Sequence, residues 1–166
     1  MFELKHLTTA GIASALDKAE QYRLLNQPWA AESICWDIAA VDAGNQRALR
    51  TKLLAQTDQF TGDMGAVRRA RESLAKLTDP YDRAYYAGLI CERMAKAALE
   101  HHVPGSRHTA YEEFREAMDW YQKAEAIRPA GDDDAILRWN TCARLLNQSS
   151  HIAPRGEEMS EPVVGE

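Results

Sequence analysis

Apolar and small residues recur along the chain at steps of three and four, and no stretch shows the two-residue alternation of a half-buried strand. Seven helices follow from that spacing. The first is predicted from about Ile12 to Leu25, with Ala15, Leu16, Ala19 and Tyr22 on one stripe. Pro28 suits a first helical turn, and Trp29 to Val41 form the second, with Ala31, Ile34, Cys35 and Ile38 aligned. Ala43-Gly44-Asn45 closes that helix and caps a third over Gln46 to Phe60, which carries Leu49, Leu53 and Leu54. Thr61-Gly62-Asp63 turns the chain into a fourth helix, Ala66 to Leu77, with Val67, Ala70 and Leu74 aligned.

Asp79-Pro80 is a capping acid followed by a first-turn proline, so it opens a fifth helix from about Tyr81 to Glu100. One face of that helix is small: Ala84, Ala87, Gly88, Cys91, Ala95 and Ala98, which lets a neighbouring backbone come close. Residues 102–107 contain Pro104-Gly105 and read as a loop. The sixth helix, His108 to Ile127, stacks Tyr111, Phe114, Met118 and Tyr121. Asp132, Asp133 and Asp134 then cap a seventh that ends near Leu146. Three segments are expected: an N-terminal extension (1–11), a helical domain (12–147) and a solvated acidic tail (148–166) rich in Ser, Gly, Pro and Glu.

Within the sixth helix, Ala117, Tyr121, Ala124 and Pro129 stand at offsets of four, seven and twelve. This resembles the second helix of a tetratricopeptide repeat, whose pattern is small, aromatic, small, proline. The first hairpin is similar to that family too, since Ala19 and Tyr22 precede Ala31 by the family's twelve and nine residues. There, Cys35, Ile38 and Ala43 replace the family's aromatic, small and proline positions. The second hairpin keeps Ala75 and Pro80 but has Arg68 and Glu72 at the other marks. From Pro80 to Pro129 is 49 residues against a usual period of about 34, so an insertion of about fifteen must be absorbed. The resemblance implies an all-α, right-handed stack of three antiparallel hairpins with a C-terminal capping helix.

In that family the first helix of each hairpin lines a concave groove. The resemblance therefore implies contact roles for Glu20 and Arg23, for Arg50 and Asp58, for Tyr85, Leu89, Glu92 and Arg93, and for Asn140 and Arg144. Such a mixture suits a peptide or partner protein, held by arginine forks and aromatic contact area. The alternative is self-association into a homo-oligomer. Leu16 and Glu20 stand where chaperone-binding members carry lysine and asparagine, so grip on a terminal carboxylate is not expected.

Formal charge is −5, but Glu157, Glu158, Glu161 and Glu166 crowd the last dozen positions, leaving the body nearly neutral. Without a lysine-arginine track, nucleic acid is not an expected partner. No long apolar run suggests a membrane span or a leader, so the expected compartment is the cytoplasm. Cys35, Cys91 and Cys142 are far apart within helical patterns, which suits buried reduced thiols. His101, His102 and His108 flank the loop, but adjacent helical positions diverge, so they read as surface residues rather than metal ligands. No phosphate loop, nucleophile elbow or paired-histidine motif is present, and neither catalysis nor a cofactor is expected. Most of the aromatics Tyr81, Tyr85, Tyr86, Tyr111, Phe114, Trp120, Tyr121 and Trp139 are expected in the core, and joint exposure of Tyr85, Tyr86 and Trp139 would mark a contact patch.

Overall fold

In the computed structural model, which describes residues 1–155, a 3-10 turn at Thr9–Gly11 leads into seven α-helices. They are α1 (Ile12–Leu24), α2 (Pro28–Val41), α3 (Gln46–Thr57), α4 (Ala66–Leu74), α5 (Pro80–His101), α6 (Ser106–Ala126) and α7 (Asp134–Gln148). No strand occurs among the described residues. Two caps form as the sequence implies: Ala48 N–H donates to the Asn45 side chain at 3.0 Å, and Asp82 N–H donates to Asp79 at 2.9 Å. At α7 the acidic triplet works differently. Asp133 makes no capping bond, while Asp132 accepts both the Asp134 N–H and the Tyr81 hydroxyl, each at 3.0 Å.

Several helix ends differ from expectation. α3 stops at Thr57, whose hydroxyl turns back onto the Leu54 carbonyl at 2.8 Å, and α4 is only nine residues long, ending at Leu74. α6 starts two residues early, at Ser106. His102 (φ 49°) and Gly105 (φ 82°) both adopt the left-handed conformation, which completes the reversal within residues 102–105. The extra residues of this hairpin are thus taken up by helices of 22 and 21 residues, not by a long loop.

Each helix packs against the next, and α1 also touches α3 while α3 touches α5. These cross-contacts set the odd-numbered helices of the first three pairs side by side. Three apolar clusters fill the spaces between: one around Leu16, Ile38 and Ala48, one around Leu53, Phe60, Leu77 and Ile90, and one around Phe114, Tyr121, Cys142 and Ile152. α5 and α6 approach closely at Gly88. A Cβ placed on Gly88 would lie 2.8 Å from the Tyr121 ring and 3.1 Å from the Ala117 carbonyl, so only glycine fits.

A buried ionic knot ties the first hairpin to the second. Glu32 of α2 is fully buried and accepts from Arg69 Nε (3.0 Å), from Gln56 (2.9 Å) and from Gln59 (2.8 Å). Arg69 also pairs with Asp63 at 2.8 Å, which leaves no charge of this group isolated. All three cysteines are free and buried, and burial above all pushes each thiol up to about 12.

The tail expected from Gln148 begins with a packed segment instead. α7 itself runs through Gln148, Ile152 is buried against the α6–α7 cluster, and His108 Nδ1–H donates to the Ala153 carbonyl at 2.9 Å. An apolar side chain four residues past the helix end was a weak sequence signal amid Ser, Gly and Pro. The acids at Glu157, Glu158, Glu161 and Glu166 lie outside the described residues.

Candidate functional site

Two adjoining clefts run across α1, α3 and α5 and share Arg23 and Leu24. The first, about 390 Å³, is lined by Glu20, Arg47, Arg50, Leu54 and Tyr86. The second, about 430 Å³, is lined by Asp58, Phe60, Arg93, Lys96 and Glu100. Regular helix spacing explains the grouping: Glu20 and Arg23, Arg47 and Arg50, and Arg93 and Lys96 each lie three apart, on one face of their helix.

Five of the ten residues singled out from the sequence therefore meet along one band: Glu20, Arg23, Arg50, Asp58 and Arg93. Each is already engaged in an ion pair, within the five only for Arg23, Asp58 and Arg93. Arg47 forks onto Glu20 (2.9 and 2.8 Å) and reaches Asp17 at 2.9 Å, and Arg50 pairs with Asp82 at 2.8 Å. Asp58 is shared by two cations, with Arg23 Nε at 2.7 Å and an Arg93 terminal nitrogen at 3.6 Å. Arg23 Nε faces Asp58 without the alignment of a hydrogen bond. Neither it nor Arg93 Nε, both buried atoms, has a hydrogen-bond acceptor among the described residues.

The other five lie elsewhere. Leu89 and Glu92 are buried in the interior, a correction to their expected place in the groove. The reason is that α5 packs against α3, α4 and α6 at once, and Arg138 of α7 reaches Glu92 as well, so little of the α5 surface is left facing outward. Glu92 accepts from the Tyr121 hydroxyl at 2.7 Å and pairs with Lys96 and, at 3.3 Å, with Arg138 of α7. Burial alone would raise its carboxyl, yet the bonds from Lys96 and Tyr121 and the Arg138 charge outweigh it and hold the group below 4.5. Tyr85 is half-buried, stacked on Tyr81 (5.9 Å) and edge-on to Tyr86 (5.2 Å). Asn140 and Arg144 of α7 line neither cleft.

The aromatic patch also falls out differently, because Tyr85, Tyr86 and Trp139 are all half-buried. The exposed pair is Trp29 and Trp36 of α2, 58% and 37% exposed, with rings 5.0 Å apart edge to face. Their seven-residue spacing was a legible signal for a shared face.

His102 and His108 line a separate cleft with His151 and Leu99, but their ring nitrogens do not gather at ligand distance. Among the described residues the group that brings three potential ligand atoms within 4.8 Å is Cys91, Glu113 and Glu116, between α5 and α6. Burial, then the Glu116 charge, raises the Glu113 carboxyl, and the Cys91 thiol is pushed up to about 12 by burial. A thiol held protonated by burial packs as a small apolar group and is a poor metal ligand. No helix among the described residues is long and apolar enough to cross a membrane.

No protein-family model, curated protein or solved structure matches the chain.

Proposed function

We propose that the chain is a non-enzymatic binding module, a tetratricopeptide-like stack of hairpins that holds a peptide or protein partner along the band formed by α1, α3 and α5. The carrying observation is the pair of joined clefts, in which exposed Leu24 and half-buried Leu54 and Tyr86 sit between arginines fixed by carboxylates. Apolar side chains of a partner gain by covering Leu24, Leu54 and Tyr86. The arginines set register and orientation, because their guanidiniums are held in place before the partner arrives. Contacts of α1 with α3 and of α3 with α5 support the stacked-hairpin reading, since such repeats touch through their first helices. Three unpaired buried thiols suit a reducing compartment, and the cytoplasm is the compartment proposed.

Selection of peptides from a displayed random library on the full chain tests this reading. Binders are expected, and Leu24→Glu should abolish their capture while Arg50→Ala weakens it by about tenfold or more, on the scale of an interface hot spot. The melting temperature should stay nearly constant, because both side chains are at least partly solvated. A library that yields no binders, or binders indifferent to Leu24→Glu, overturns the proposal.

A further inference from the structure

The two ends of the helical array differ. At the C-terminal end α7 and Ile152 cover α6, whereas at the other end α1 and α2 present a groove of about 340 Å³ lined by Leu7, Gly11, Ser14, Ala15, Ile34 and the charged pair Lys18 and Asp37. No α3 residue lines it, so it opens on the side of the first hairpin that its neighbour does not use. Small residues on α1 and an isoleucine on α2 make the floor apolar, and exposed Lys18 and Asp37 give its two walls opposite charge.

The chain also carries an apolar element with nothing to pack on. Residues 1–8 have no regular secondary structure, and Phe2 and Leu4 are 100% and 85% exposed. Leu7 fixes the arm to the wall of the groove, and Phe2 and Leu4 alternate with Glu3 and Lys5. Laid out extended, residues 1–6 span about 20 Å, longer than the two helical turns of groove from Gly11 to Lys18.

We infer that two copies of the chain associate through this end, each placing its N-terminal arm in the other's groove. Phe2 and Leu4 bury against Ala15 and Ile34 of the second copy, while Glu3 and Lys5 carry the signs that Lys18 and Asp37 require. A two-fold axis makes such an exchange self-complementary, because the arm and the groove that receives it belong to the same end of every copy.

Sedimentation velocity and light scattering of the full chain over a wide concentration range test the inference. A monomer–dimer equilibrium is expected, returned to monomer by Phe2→Ser with Leu4→Ser. These changes touch a fully exposed arm, so helicity and melting of the monomer should not move. Lys18→Glu should raise the dissociation constant about two- to fivefold per pair, the scale of an exposed ion pair, and Glu3→Lys in the same chain should recover part of it. A chain that stays monomeric throughout, or a dimer indifferent to the loss of Phe2 and Leu4, overturns the arm exchange. Neither result bears on the cleft across α1, α3 and α5, which is read by peptide capture.

Discussion

Glu92 shows most clearly how one side chain links the interior to the surface band. Its carboxylate is buried, yet it joins α5 to α6 through Tyr121 and to α7 through Arg138, while Lys96 reaches it from the cleft. Removing its charge leaves Lys96 and Arg138 without their shared partner. Glu92→Gln should therefore cost about 1.5–3 kcal/mol at neutral pH, the scale of hydrogen bonds to a charged group, because Lys96 and Arg138 keep access to water. Because the folded group is held below 4.5, its stabilisation is present above that ordinary value and is lost as pH falls through the folded value. Urea unfolding from about pH 7 down to about pH 3 should show a steep acid loss in the parent chain. A flatter acid limb is expected for Glu92→Gln, and parallel limbs would remove the carboxylate from this role.

At the level of elements, α5 and α6 pack closely, and the small-residue face of α5 permits it. Ala117 and Tyr121 are fully buried where Gly88 passes, and the Tyr121 ring is pinned at its far end by Glu92. Gly88→Ala gains up to about 1 kcal/mol of helix propensity, but the new methyl meets a ring and a backbone carbonyl that have little room to yield. Overpacking should win, so Gly88→Ala and Ala117→Leu are each expected to destabilise by about 1–3 kcal/mol in thermal or denaturant melts. Unchanged stability in both would mean that the two helices do not meet at this point.

For the molecule as a whole, the Glu32 knot decides whether the first hairpin unfolds with the rest. In the proposed stack each hairpin is held through its neighbours, and the contact between the first two includes a buried carboxylate bonded to Arg69, Gln56 and Gln59. Glu32→Ala leaves the Gln56 and Gln59 amides without their acceptor while Arg69 keeps Asp63, so it should cost about 1–3 kcal/mol and, in native-state hydrogen exchange, let α1 and α2 amides exchange ahead of those in α5 and α6. Uniform loss of protection along the chain would count against a separable first hairpin. Helical spacing puts Arg23, Arg50 and Arg93 on one face with Glu20, Arg47 and Lys96, and the resemblance to a hairpin repeat suggested that such first-helix faces adjoin; Glu20, Arg23, Arg50, Asp58 and Arg93 do lie along one band. The rest was not legible. Leu89 and Glu92 are buried by the helices that pack around α5, and Glu92 also meets Arg138 of α7; periodicity within one helix carries no information about partners that lie tens of residues away.

The sequence by itself determined the number, order and approximate ends of the helices, because apolar spacing, Asn45, Asp79 and the first-turn prolines act within a few residues of where they stand. It also determined that the thiols would be buried, for each lies on an apolar stripe. Tertiary structure alone decided which charges pair, that Glu32 and Glu92 are interior, and that Ile152 returns to the core. Those outcomes depend on distances between residues far apart in the chain, and a buried carboxylate is tolerable only where arginines from other helices converge on it.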